Sequence, residues 1–91
     1  MELRVSRNPA VDFAPMKHES VLFQPKTNQF CMLNGTATLV WTQLDQPRSV
    51  SELAKTLCDH FDSVSFPEAK HDVEQMVEQL LSLDCLMSSE T

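Results

Sequence analysis

Residues 21–34 read V-L-F-Q-P-K-T-N-Q-F-C-M-L-N and run straight into G-T-A-T-L-V-W. Two strand-like stretches, residues 21–24 and Gln29–Leu33, flank Pro25-Lys26-Thr27-Asn28, a loop of turn-forming residues. Pairing them antiparallel across this even-length loop sets Val21 opposite Met32, Leu22 opposite Cys31 and Phe23 opposite Phe30. Side chains alternate along a strand. One face of the hairpin therefore carries Val21, Phe23, Phe30 and Met32, and the other Leu22, Cys31 and Leu33. Both faces are apolar. Helices can cover one. The other must meet the first strand, the N-terminal arm or a partner. A small sheet cannot hide both faces and both edges in 91 residues, which favours a binding module over an enzyme.

The second strand runs into a helix. Asn34 is a good N-cap, because its side-chain oxygen can accept from a free N–H of the first turn. Ala37, Val40, Trp41 and Leu44 then recur at helical spacing, a pattern that places Trp41 in the core. Asp45-Gln46-Pro47 stops this helix. Ser49-Val50-Ser51-Glu52 is a capping box, and the helix it opens carries Val50, Leu53, Ala54, Leu57 and Phe61 on one stripe. Ser65-Phe66-Pro67-Glu68 is another box, with proline in the first turn, where its missing N–H costs little. The third helix buries Ala69, Val73, Met76, Val77 and Leu80. It should end near Leu83, because Asp84 would otherwise fall on the buried stripe. Ahead of the hairpin, Val11-Asp12-Phe13 alternates as a short strand and Pro15 ends it. Residues 1–10 read as a flexible lead-in, Cys85-Leu86-Met87 as an apolar tail that packs back, and residues 88–91 as frayed. The expected fold is α+β: a small three-stranded antiparallel sheet followed by three helices gathered on one face, winged-helix-like in content, as a single domain over residues 11–87.

Composition removes several functions. With only one glycine, neither a dinucleotide fingerprint nor a P-loop can be built. A net charge of −6 opposes nucleic acid, whose phosphates need lysine and arginine. Cys31, Cys58 and Cys85 are odd in number and form no C-x-x-C pair, so a reducing cytosol and a cytoplasmic protein are expected rather than a disulfide framework. The N-terminus lacks the apolar core of a signal peptide, and no apolar run approaches a membrane span. Of these cysteines with His18, His60 and His71, only Cys58 and His60 are close, and residues two apart point to different sides of a helix. No metal site and no cofactor are expected. Nor are catalytic residues: each cysteine sits in or beside an apolar run, and Glu68, Asp72, Glu74 and Glu78 are spaced for a solvated helix face.

The stretch L-F-Q-P-K-T-N-Q-F-C-M-L-N-G-T-A, with Trp41, S-V-S-E-L at residues 49–53 and D-V-E-Q-M-V-E-Q-L at residues 72–80, resembles the PqqD-like family over residues 11–87. These are stand-alone recognition domains for the precursor peptides of ribosomal peptide (RiPP) pathways. Where many members carry glycine in the loop after the first helix and just after the third, this chain has Gln46-Pro47 and Asp84-Cys85. The resemblance implies three antiparallel strands on three helices. It also implies a non-catalytic chaperone that binds the leader segment of a precursor peptide as an added strand and presents it to a modifying enzyme of the pathway. Carried onto this chain, the strand is Gln29, Phe30, Cys31, Met32 and Leu33. The facing flank of the third helix is Asp72, Met76, Gln79 and Leu83, or alternatively Lys70, Glu74 and Leu81. The acids of that helix favour a leader with basic residues. Two other readings are a winged-helix DNA-binding regulator, which the charge opposes, and a homodimer joined through the apolar sheet.

Overall fold

The computed structural model describes residues 3–90. Its elements in order are β1 (Leu3–Arg7), β2 (Asp12–Pro15), β3 (Ser20–Gln24), β4 (Gln29–Leu33), α1 (Gly35–Thr42), a 3₁₀ turn (Gln43–Asp45), β5 (Arg48–Ser49), α2 (Val50–His60), α3 (Phe66–Ser82) and β6 (Leu86–Glu90). The expected three-stranded sheet has the order β2–β3–β4, and three helices follow it.

The hairpin takes the register that its loop length dictates: Val21↔Met32, Leu22↔Cys31, Phe23↔Phe30. Asn28 closes the loop in the left-handed region, φ 57°, a conformation asparagine tolerates better than most residues. On the inner face, Leu22 and Leu33 are buried. Phe13 of β2, opposite Leu22, stacks on the buried Trp41 with ring centroids 6.2 Å apart.

Local chemistry sets the helix starts. The Asn34 side chain accepts from Ala37 N at 2.8 Å. Ser49 and Glu52 close a reciprocal capping box. At α3, Ser65 Oγ accepts from Glu68 N at 3.4 Å, the Ser65 arm of the second box. The core joins Leu53, Ala54 and Leu57 of α2 to Ala69, Val73, Val77 and Leu80 of α3, beneath Val40, Trp41 and Leu44. Each large apolar side chain fully buried here contributes roughly 1.5–3 kcal/mol.

Two terminal segments differ from expectation. Residues 3–7, read as part of a flexible lead-in, form the central strand of a second sheet, β5–β1–β6. Residues 86–90, whose end was expected to fray, pair with them along the whole strand, from Leu3↔Glu90 to Arg7↔Leu86. Val5 is 1% exposed and Leu86 2%. The reason is pairing at long range: neither segment has enough apolar residues to read as a strand alone, and each supplies the other's ladder. Met1, Glu2 and Thr91, which belong to the same two segments, lie outside the described residues.

Candidate functional site

β4 is an edge strand, since it pairs with β3 on one side only. Asn34 caps α1 immediately after it, so the chain turns away and, among the described residues, the outer side of β4 has no strand partner. α3 lies across from that edge. Between them runs a groove of about 390 Å³, within the size range of ligand sites.

The end of α3 explains how the second wall is held. Asp84 has φ 60°. Its N–H bonds Leu81 O at 3.1 Å, and the next N–H, of Cys85, bonds Leu80 O at 2.9 Å. This is a Schellman ending with aspartate where glycine is usual. The Asp84 carbonyl then accepts from Gln24 Nε2 at 2.6 Å and from Asn8 Nδ2 at 2.8 Å. Gln24 is 2% exposed. Its other amide atom is also satisfied, because Oε1 accepts from Lys26 N at 3.1 Å. These bonds tie the C-terminal end of α3 to the hairpin end of β3–β4.

Of the residues expected at the site, Cys31, Met32 and Leu33 of β4 line the groove, facing Asp72, Met76 and Gln79 of α3. Gln29 and Phe30 lie on the same strand nearer the hairpin loop, outside the lining. Phe30 points to the outer face, 73% exposed, with its ring 4.7 Å from that of Phe23. Leu83 is the half-buried C-cap of α3 and does not line the groove. Neither do Lys70, Glu74 and Leu81 of the alternative flank. Sequence reasoning missed Gln75, which 3- and 4-residue helical spacing from Asp72 and Gln79 could have found. The floor of the groove, Ala37, Val40, Leu57 and Leu80, is the apolar stripe that helix periodicity assigns to the core, and it is packed there.

The groove combines an apolar floor, an unpaired strand edge, the side-chain amides of Gln75 and Gln79, and one carboxylate, Asp72. Burial pushes the Cys31 thiol above its ordinary value, which keeps it protonated and a poor nucleophile. Cys85, fully buried, is raised by burial and by its neighbours Cys31 and Asp84. Among the described residues no group of three histidine, cysteine or acidic side chains is placed to hold a metal ion. None of the helices is long and apolar enough to cross a membrane. The outer face of the hairpin stays open, with Met32 57% exposed beside Phe30.

A three-stranded sheet with an unpaired edge, backed by three helices of which the last walls a groove, defines a small α+β domain. The sequence profile of "Coenzyme PQQ synthesis protein D (PqqD)" matches residues 19–86, from the end of the β2–β3 connection into β6, and the chain belongs to the PqqD family. Two solved structures share the fold. TbiB1 in complex with the TbiA(beta) leader peptide superimposes with a TM-score of 0.82 at 21% identity, covering 94% of this chain and 99% of that one. Lasso peptide synthetase B1 complexed with the leader peptide gives 0.76 at 24% identity, covering 96% and 99%. Both likenesses extend beyond the profile match to take in nearly the whole chain. No curated protein sequence matches it.

Proposed function

We propose that this chain is a non-catalytic peptide-binding module. It takes up the leader segment of a ribosomally made precursor peptide as an added strand on β4 and presents that peptide to a modifying enzyme. The vacant edge of β4 facing α3 across the groove carries this reading. Strand addition satisfies the backbone groups of the edge, and side chains of the groove give selectivity. Family membership and the two leader-bound neighbours support it. The protonated Cys31 thiol supports a role without covalent chemistry. The exposed acids of α3, Glu68, Asp72, Glu74 and Glu78, weigh against DNA.

The test is a titration with the labelled leader of the precursor peptide encoded beside this gene. Saturable binding of roughly micromolar strength, about −8 kcal/mol, is expected. Single N-methyl groups moved along that leader should weaken binding with a period of two, because alternate N–H groups of an added strand face the protein. Absence of saturation at roughly tens of micromolar, about −6 to −7 kcal/mol, would overturn the proposal.

A further inference from the structure

Among the described residues, Asp72 is the only charged one lining the groove. The ion pairs of the described residues join Arg4 to Glu52, Lys26 to Asp84 and Arg48 to Asp45, and Asp72 takes part in none of them. Lys70, two residues earlier on α3, is on a different side of the helix and outside the groove. Glu68, Glu74 and Glu78 on the same helix add to the negative field rather than offset it. An exposed carboxylate without a partner, at the wall of an otherwise uncharged slot, is complementary to a cation on whatever occupies that slot.

The position of Asp72 along the groove is also fixed. Gln24 pairs with Gln29 and holds the Asp84 carbonyl, so the C-terminal end of α3 lies at the hairpin end of β4. Asp72 stands about 15 Å up the helix from Ser82, at 1.5 Å per residue. With α3 running along the groove that it shares with β4, that distance, against about 17 Å for the strand, puts Asp72 toward the Leu33–Asn34 end. An added strand antiparallel to β4, the more stable pairing, starts at that end.

We propose that Asp72 is a specificity-determining residue: it selects a peptide carrying lysine or arginine at the N-terminal end of the segment that joins β4. This rests on the reading of the groove as the leader site. It assigns to one side chain, at one end of the strand, the attraction that the acidity of α3 suggests only in general.

The experiment compares wild type, Asp72→Asn, Asp72→Lys and Glu74→Lys by fluorescence anisotropy with the same labelled leader, at low and high salt. Asp72 and Glu74 are both exposed, so the variants fold, and a thermal melt checks this. Asp72→Asn should weaken binding about 3- to 5-fold and flatten its salt dependence. Asp72→Lys should weaken it further, while Glu74→Lys, outside the groove, should change it less than about 2-fold. Replacing each basic residue of the leader in turn by glutamate should yield one peptide that binds Asp72→Lys better than wild type, with the exchange at the start of the strand. Wild-type affinity and salt dependence in Asp72→Asn would overturn the role of Asp72 and leave the leader site standing. Equal losses in Asp72→Asn and Glu74→Lys would overturn it too, by showing a diffuse field. No saturable binding by wild type would overturn the leader site and this inference together.

Discussion

Glu52 has two partners at the start of α2. Its Oε1 accepts from the Ser49 backbone N–H at 2.9 Å, completing the capping box, and from Arg4 Nη1 of β1 at 3.1 Å. The Ser49 N–H, with the charges of Arg4 and Arg48 behind it, holds the Glu52 carboxyl below the ordinary carboxylate range, against a smaller opposing effect of desolvation. A carboxylate depressed in the folded state stabilises the fold above its unfolded value, and that contribution is lost as pH falls through the lowered one. Glu52→Gln should therefore melt at a lower temperature than wild type near neutral pH, with the gap closing in acid as pH falls through the lowered value. A gap that is the same at both would mean that charge has no part in the cap. The caps at Asn34, Ser49 and Ser65 were legible in the sequence because a cap is made by residues three apart. Asp84 was not. Its left-handed backbone and doubly bonded carbonyl go with contacts from Asn8 and Gln24, distant in the chain, and the sequence offered only an aspartate there.

β1 illustrates what local reading cannot reach. Its register with β6 joins the two ends of the chain, and nothing within L-R-V-S-R distinguishes a central strand from a solvated arm. Val5→Ala should lower stability by about 2 kcal/mol in urea unfolding, the cost of losing most of a buried valine. A change within about 0.5 kcal/mol, typical of surface positions, would return this segment to the status of a lead-in. The β3–β4 hairpin was legible to the residue because an even loop leaves one register that keeps both apolar sets together. The boundaries of α3 were legible from Ser65 and from the misfit of Asp84. Which flank of α3 faces β4 was not, since both border the same buried stripe. The tie from Gln24 to Asp84, a contact between elements far apart in the chain, fixes the helix against the sheet.

The molecule measures 35 × 34 × 19 Å. Its thin dimension has room for one sheet layer and one helix layer. The hairpin's two apolar faces thus meet different fates: Leu22 and Leu33 are buried against helices, while Phe30 and Met32 remain open. Among the described residues, β1 does not cover them, because it is committed to the other sheet. A ligand that binds only the folded state stabilises it by mass action. Leader peptide at about 100 times its Kd should add about 2.7 kcal/mol, which for a domain of this size raises Tm by roughly 10–20 °C. Trp41, the one tryptophan of the chain and 1% exposed, reports the transition by its fluorescence. An unchanged Tm at saturation would contradict selective binding to the native state. Light scattering with and without peptide separates this from edge-to-edge pairing of two copies, which would use the same backbone groups of β4.

The carbonyl of Asp84, gripped by amides from Gln24 and Asn8, gathers α3, the hairpin and the segment after β1 at one point. A slot whose walls are pinned in this way is already open before anything enters it. In the proposed strand addition, the ordering that accompanies association then falls on the peptide, whose backbone must become extended. A leader stiffened beforehand into an extended shape gains more affinity from that change than the protein could gain from any tightening of its own scaffold.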